Sequence, residues 1–274
     1  MSDIDKMVEF MHRHGNMTVL SGAGCSTGSG IPDYRDEDGN WKNAQPVQFS
    51  DFAHNRNVRK RYWARSFAGW SRISSATPNA AHAALAELER TGHVSLLITQ
   101  NVDNLHRMAG SRKVIDLHGV LHKTRCLMCE ATSQRSDWQA RLEECNPDWH
   151  PNVSAYTPDG DAELSGSDYL DFNVPDCPTC GGIIKPDVVF FGEAVPSERV
   201  SVATKKLEQS DALLVVGSSL MVFSGYRFAR LAQKANIPIV IINRGRTRAD
   251  DIAAQKLSGD CAEILPRVVD RLAA

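Results

Sequence analysis

Residues 17–35 read MTVLSGAGCSTGSGIPDYR, an apolar run followed at once by a loop rich in glycine. The run Met17–Ser21 has the near-continuous apolar character of a strand that is buried on both faces of a parallel sheet. Gly22 and Gly24 would let backbone amides approach a phosphate closely, and we expect the N-terminus of a following helix to assist them. This stretch therefore predicts the nucleotide-binding unit of an α/β protein.

The rest of the chain repeats the alternation of strands and helices. Further apolar runs predict strands at Val94–Thr99, Lys113–Leu117, Val188–Phe191, Ala212–Val216 and Ile237–Ile242. Helical patterns are predicted at Asn79–Thr91, Ser197–Gln209, Gly225–Ala235 and Ala262–Leu272, and at the N-terminus with Ser2 as the N-cap. The order predicts a doubly wound α/β fold with a parallel, Rossmann-like sheet.

Two insertions interrupt this pattern. Residues 44–76 carry aromatic side chains at helical spacing, which we interpret as the packing of a small helical insertion rather than as a base-stacking surface. Residues 121–185 form the second insertion, a metal-binding module with a long loop. The expected NAD-binding domain thus comprises residues 1–120 and 186–274.

The cysteines predict a structural zinc site in the second insertion. They form two Cys-x-x-Cys pairs, Cys126/Cys129 and Cys177/Cys180, and four thiolates complete a tetrahedral zinc site with no open position for chemistry. A disulfide framework is disfavoured because the total of seven cysteines is odd. The remaining cysteines are predicted to be free thiols: Cys25, Cys145 and Cys261.

The overall charge and hydropathy exclude several partners. A formal net charge of −2 gives no electrostatic reason to expect nucleic acid or an anionic membrane as the main partner. No apolar run approaches the ~20 residues that span a bilayer, and no secretory or transit signal is evident. We expect a monomer in a bacterial cytoplasm, with the mitochondrial matrix as the alternative compartment.

Polar or glycine-rich residues follow most of the predicted strands, at Gly22–Arg35, Gln100–Asp103, His118–Gly119, Gly217–Ser219 and Asn243–Gly245. Because ligands of open parallel sheets bind beyond the carboxyl ends of the strands, these ends predict one pocket for a large polar cofactor.

Hydride transfer is disfavoured as the chemistry of that pocket. A dehydrogenase fingerprint needs glycine where this chain has Thr27, and an acidic residue at the end of a second strand. The acidic residues 36–38 lie in a polar loop instead, and residues 31–35 are long enough to fold over a cofactor as a flap.

Several motifs occur in the order in which they stand in the sirtuins: GAGCSTGSGIPDYR, TQNVDNLH, DLHG, the two Cys-x-x-Cys pairs, KPDVVFFGE, VGSSL and INRG. Over residues 17–266 the chain therefore resembles the sirtuins, which are NAD-dependent protein lysine deacylases. Tyr34, the stretches RYWAR at 61–65 and VGSSLMVFSGYRF at 216–228, and the long loop between the zinc pairs resemble the class II branch. That branch includes the mitochondrial lipoamidase and ADP-ribosyltransferase sirtuin.

The resemblance implies a role for each matched position. The NAD-binding residues would be Gly22, Ala23, Gly24, Ser26, Ile31, Asp33, Tyr34, Arg35, Gln100, Asn101, Asp103, Gly217, Ser218, Ser219, Asn243, Arg244, Gly245 and Cys261. The acyl-lysine peptide would add as a strand between Val189, Phe190, Phe191, Gly192, Glu193 and Met221, Val222. His118 and Asn101 would be the catalytic residues, and the paired cysteines would hold one structural zinc ion.

The implied reaction transfers the acyl group from acyl-lysine to ADP-ribose and yields nicotinamide and O-acyl-ADP-ribose. After the amide oxygen displaces nicotinamide from C1′ of the ribose, His118 would remove a proton from the 2′-hydroxyl, directly or by relay. Protein mono-ADP-ribosyl transfer and non-catalytic NAD sensing remain the alternatives.

The acyl preference is open at this stage. Tyr62 and Arg65 have the spacing that meets an acidic acyl chain in the desuccinylating sirtuins, although their distance from Pro78 differs from that class. The alternative is that Arg65 is a solvated helix arginine. Phe190, Phe191 and Phe223 suit either an apolar tunnel or core packing.

Overall fold

The computed structural model describes residues 2–42, 46–157, 161–164 and 169–274. The strands are β1 Met17–Ser21, β2 Val94–Thr99, β3 Val114–Asp116, β4 Gly119–Cys126, β5 Thr132–Gln134, β6 Val153–Tyr156, β7 Ala162–Leu164, β8 Ile184–Val188, β9 Ala212–Val216, β10 Ile239–Ile242 and β11 Gln255–Leu257. The helices are α1 Asp3–Arg13, α2 Phe49–His54, α3 Arg56–Ser74, α4 Ala80–Arg90, α5 Leu105–Met108, α6 Arg135–Cys145, α7 Ser197–Leu207, α8 Phe223–Lys234 and α9 Cys261–Ala273. Within these ranges, no helix has the length and apolar character needed to cross a membrane.

The central sheet consists of six parallel strands in the order β11-β10-β9-β1-β2-β3. β1 lies between β2 and β9, and all of its residues are buried, as its apolar sequence predicts. The strands β1, β2 and β9 have the predicted bounds, and the doubly wound fold is confirmed. Since the strands are parallel, the loops after β1, β2, β9 and β10 meet at one edge of the sheet.

One predicted strand of this sheet belongs elsewhere. The apolar run Val188–Phe191 was expected in the parallel sheet, but the strand is Ile184–Val188, and it pairs antiparallel with β4 in a separate sheet with β5. An apolar run shows that a strand is buried but does not identify its partner, which explains the error. The edge strand β11 was missed because its sequence, QKL, is short and largely polar.

Helices cover both faces of the parallel sheet. On one face, α1, α4 and α9 bury Met11, Leu85 and Leu265 against alternate strand residues such as Val19. On the other face, α7 and α8 pack against the intervening strand residues, with Phe228 fully buried. The predicted Ser2 N-cap of α1 is present as a reciprocal capping box, in which the Ser2 hydroxyl accepts from the Asp5 amide and the Asp5 carboxylate accepts from the Ser2 amide.

The two insertions share a single hydrophobic cluster. The predicted helical insertion is present as α2 and α3, although residues 44 and 45 of the predicted range lie outside the described residues. Trp63 of α3 is fully buried, contacts Trp138 of α6, and donates from its indole nitrogen to the Ile184 carbonyl at 3.1 Å. The aromatic side chains therefore pack against the cysteine-bearing module rather than forming a core of their own.

The segment between the two cysteine pairs is more regular than a long loop. It contains α6 and the β6–β7 hairpin, and Trp149 and Phe172 pack against Phe67 of α3. Residues 158–160 and 165–168 of the predicted long loop lie outside the described residues. Packing of the segment on α3 fixes one wall of the cleft between the sheet and the insertions.

Gly119 begins β4, directly after His118, at a position where the structure has no room for a side chain. Its φ is 81°, and a Cβ atom there would overlap the carbonyl oxygen of Asp187 on the neighbouring strand. Gly92 has an equivalent φ of 86°, but a Cβ atom there would meet nothing within 4 Å. A comparison of substitutions at the two glycines therefore distinguishes the cost of a positive φ from the cost of steric overlap.

We expect Gly119→Ala to lower the free energy of unfolding by about 2 kcal/mol more than Gly92→Ala, because overpacking adds to the cost of the positive φ. Denaturant unfolding of both variants measures the difference. Equal destabilisation would show that β8 moves away from β4 at no cost.

Candidate active site and zinc centre

The four paired cysteines lie together at the far end of β4 and β8. The Cys126 and Cys180 sulfurs are 3.5 Å apart, the Cys129 and Cys177 sulfurs are 3.8 Å apart, and all four lie within 4.8 Å of one another. A tetrahedral zinc ion with Zn–S bonds of about 2.3 Å places its sulfurs about 3.8 Å apart. The predicted ligand set therefore fits one structural zinc ion.

The glycine-rich loop after β1 lies against the loop after β9. The Gly24 amide donates to the Gly217 carbonyl at 2.8 Å, and a Cβ atom on Gly22 would lie 2.7 Å from the Ser218 Cβ. Two short 3₁₀ turns, at 23–25 and 27–29, take the place of the helix that was expected to follow this loop. The loop backbone and the neighbouring hydroxyl groups, rather than a helix N-terminus, thus face the cavity.

One cavity of ≈ 710 Å³ occupies the carboxyl edge of the sheet. Every residue predicted to bind NAD or the peptide lines this cavity, as does His118. The polar and glycine-rich ends of the strands therefore converge, as predicted. The sequence analysis missed other lining residues, among them Trp41, Ser224 and Arg227. Trp41 lies outside the matched motifs, whereas Ser224 and Arg227 lie in the stretch 216–228 that resembles the class II branch, and that resemblance implies no role for them.

A hydrogen-bonded network of buried side chains forms one end of the cavity. The Ser26 hydroxyl donates to Asp103 Oδ2 at 2.7 Å and accepts from Asn101 Nδ2 at 3.0 Å. The second Asp103 oxygen accepts from the Leu105 amide at 2.9 Å, and Asn101 also donates to the Gly22 carbonyl at 3.1 Å. Because every link is satisfied, these side chains are held in place before any ligand binds.

His118 lines the same cavity, with both of its ring nitrogens engaged. Nδ1 is 2.9 Å from the Gln100 carbonyl oxygen, and Nε2 is 2.8 Å from the Ser224 hydroxyl. A carbonyl can only accept, so Nδ1 carries the proton and Nε2 carries the lone pair in the neutral ring. Burial lowers the pKa of His118 from its ordinary value of 6.5, and the nearby Arg199 and Arg227 lower it further. His118 is therefore a neutral base at pH 7 with its lone pair on Nε2.

The predicted flap, residues 31–35, is held by contacts with residues 39–42. The Arg35 guanidinium lies 4.0 Å above the Trp41 ring and donates to the Gly39 carbonyl at 2.6 Å. Asp33 pairs with Lys42 at 2.5 Å, and Trp41 contacts Phe191 edge to face. The flap thus lines the cavity beside the predicted peptide segment.

Two predicted peptide residues serve the structure of their own segment. Glu193 Oε2 accepts from the buried Lys185 ammonium at 3.1 Å and from the Phe190 amide at 2.8 Å. The Lys185 ammonium also donates to the Val188 carbonyl. These contacts shape the turn that follows β8. Because of this turn, the backbone after β8 runs along the wall of the cavity.

Tyr62 and Arg65 of α3 have different surroundings in the structure. Tyr62 lines the cavity and contacts Phe52 and Phe190, whereas Arg65 donates to the Ala162 carbonyl at 3.0 Å and to the Thr157 hydroxyl at 3.4 Å. Arg65 thus anchors the β6–β7 hairpin to α3. It is neither a solvated arginine nor placed as an anchor for an acidic acyl chain.

Comparison with known proteins identifies relatives over the whole chain. The Sir2 family profile matches residues 22–224. An NAD-dependent protein deacetylase of Bordetella bronchiseptica is 54% identical over 269 residues, which cover 98% of each chain. The mitochondrial NAD-dependent protein lipoamidase sirtuin-4 of Bos taurus is 45% identical over 271 residues, which cover 98% of this chain and 86% of that protein. A solved structure described as Sir2 with a p53 peptide and NAD⁺ superposes with a TM-score of 0.80 at 31% identity, covering 99% of this chain and 98% of the other.

We expect Cys129→Ser to abolish stoichiometric zinc binding and to lower the thermal unfolding temperature, because the binding energy of a structural zinc ion contributes to folding. Cys145→Ser is the matched control, since Cys145 is an equally exposed thiol outside the cluster. Elemental analysis of both purified variants measures the metal content. Zinc loss from Cys145→Ser, or zinc retention in Cys129→Ser, would contradict this ligand set.

Proposed function

The chain belongs to the Sir2 family and is an NAD-dependent protein deacylase, and we propose that it cleaves acyl-lysine peptides with His118 as the general base. The observation that carries this assignment is the fixed tautomer of His118, whose basic Nε2 lies in the cavity that also contains Asn101 and Asp103. A neutral imidazole in this position can accept a proton from a ribose hydroxyl.

The residues at the strand ends suit NAD as the co-substrate. Gly22 and Gly24 lack side chains and so leave room for the diphosphate, and the Ser218 hydroxyl, which accepts from Gln100 and Leu220, can donate to it. Asn243 and Gly245, which line the same cavity, suit the adenosine ribose. When bound, NAD supplies an activated ribose carbon from which the acyl-amide oxygen displaces nicotinamide.

Asn101 and Asp103 would orient the nicotinamide end of NAD. Their hydrogen bonds to Ser26 fix both side chains, so the polar groups that meet the carboxamide need no reorganisation when the ligand binds. Gln100 contributes differently, because its carbonyl oxygen holds His118 while its side-chain amide donates to the Ser218 hydroxyl at 2.7 Å. The end of β2 thus connects the base with the diphosphate loop.

We further propose that the substrate peptide adds as a strand between residues 189–191 and residues 221–222. Both segments line the same cavity, and a solved Sir2 structure of 30% identity and TM-score 0.80 is described as bound to acetylated peptide. The acyl chain would enter past the rings of Tyr62 and Phe190, and the cation beside that route, the Lys185 ammonium 4.8 Å from the Phe190 ring, is already paired with Glu193. This route suits acetyl or lipoyl groups better than acidic ones.

The remaining assignments concern the whole molecule. Residues 1–120 and 186–274 would form the NAD-binding domain and residues 121–185 the zinc module, with zinc in a structural role. We propose a monomer without nucleic-acid or membrane partners. The bacterial source of several close relatives favours a bacterial cytoplasm over the mitochondrial matrix.

We expect NAD-dependent loss of acetyl or lipoyl groups from lysine peptides, with matching O-acyl-ADP-ribose, and a loss of activity of about 10²–10⁴-fold in His118→Ala. Mass spectrometry of peptide and nucleotide products measures both, and His54→Ala, which removes an exposed histidine of α2, is the control. Labelled protein in place of O-acyl-ADP-ribose would instead support mono-ADP-ribosyl transfer. NAD binding without turnover would support a sensor.

The pH profile follows from the lowered pKa of His118. The base is competent only when neutral, so kcat/KM should decline at acid pH with a midpoint below 6.5. At pH 6.5 the wild-type protein should therefore retain more than half of its plateau kcat/KM. A midpoint above 6.5 would exclude His118 in this environment as the group that titrates.

A further inference from the structure

Ser224 contacts the basic nitrogen of His118 directly. Its hydroxyl oxygen lies 2.8 Å from Nε2. Because Nδ1 carries the proton that is donated to the Gln100 carbonyl, Nε2 of the neutral ring has a lone pair, and the serine hydroxyl must donate to it. The imidazole is therefore held from both sides. Ser224 lies in the stretch 216–228 that resembles the class II branch, but that resemblance implies no role for it.

The position of Ser224 is fixed by the first turn of α8. Val222 is the N-cap of this helix, and Gly225 packs so closely on Gln100 that a Cβ atom would overlap its side-chain amide. The same Gln100 holds Nδ1 of His118 through its carbonyl oxygen. Gln100, His118 and Ser224 thus form a closed set in which the start of α8 and the end of β2 orient the ring together.

The surroundings of His118 oppose its protonated form. Burial is the main cause that lowers the pKa of His118, and Arg199 of α7 and Arg227 of α8 lower it further, whereas the hydrogen bond to the Gln100 carbonyl raises it. When Nε2 gains a proton it becomes a donor, and a hydroxyl group can rotate to accept from it. A hydrogen bond to a charged donor is stronger than one between neutral groups. Ser224 is therefore placed to stabilise the imidazolium more than the imidazole.

We propose that Ser224 is a positioning residue for His118: its hydroxyl donates to Nε2 of the neutral ring, releases that lone pair to the ribose 2′-hydroxyl whose proton Nε2 takes, and then accepts a hydrogen bond from the new Nε2–H. This inference rests on the proposed role of His118 as the base. Ser224 would therefore act in the proton-transfer step of the reaction. The earlier step, the displacement of nicotinamide, would not depend on Ser224. The two steps can be measured separately.

Ser224→Ala should slow acyl transfer about tenfold, a fraction of the 10²–10⁴-fold contribution of a general base. NAD-dependent exchange of labelled nicotinamide in the presence of acyl peptide should stay within about twofold of wild type, because it precedes proton removal. The acid midpoint of kcat/KM should fall by about half a unit to one unit, since the imidazolium loses its acceptor. Ser224→Thr keeps the hydroxyl group and should restore both the rate and the midpoint.

Tyr226→Phe is the matched control, because it removes a hydroxyl group from the same turn of α8 at a residue that does not line the cavity. The inference is overturned if Ser224→Ala loses exchange and acyl transfer equally, matches wild type in both, or shifts the midpoint upward. It is also overturned if Tyr226→Phe reproduces the defect. A wild-type protein without NAD-dependent acyl loss, or with activity that survives His118→Ala, would instead refute the proposed function.

Discussion

Direct backbone contact between two loops at the carboxyl edge of the sheet is the constraint on which the site depends. Gly24 donates to the Gly217 carbonyl at 2.8 Å, and Gly217, with a φ of 58°, packs against the backbone of Cys25. A side chain on Gly22 would overlap Ser218 in the same way. Larger residues would force the loops apart, and the cavity between the ends of β1 and β9 would lose the wall that faces a diphosphate.

Buried polar side chains at the cavity, such as Asp103, have their hydrogen-bond partners within the protein. Asp103 is buried, yet both of its oxygens accept hydrogen bonds, which offsets the cost of removing the carboxylate from water. His118 is held as a neutral ring because burial and two nearby guanidinium groups disfavour its charged form. Asp103 and His118 thus have their hydrogen-bond partners in place before a co-substrate binds.

The sequence allowed prediction of those features that are local along the chain. Strand β1 with its glycine loop, and the Ser2 cap of α1, follow from residues that are neighbours in the sequence. Contacts between distant residues could not be predicted. The hydrogen bond between Ser224 and His118 joins residues 106 positions apart, and the pairing of β8 with β4 depends on a partner that the apolar run does not specify. The resemblance to a family predicts His118 as the base but gives no indication of its hydrogen-bond partners.

The zinc centre and the base are connected by one antiparallel strand pair. Cys126 ends β4 opposite Ile184 of β8, while at the other end Gly119 lies opposite Val188. His118 immediately precedes that end, and its carbonyl accepts from the Val189 amide at 2.8 Å. The register shifts between Gly119 and Thr124, so the cysteine end holds the two strands together without setting the alignment at the end that carries His118. A closed metal site with no open coordination position can in this way support catalysis without taking part in bond making.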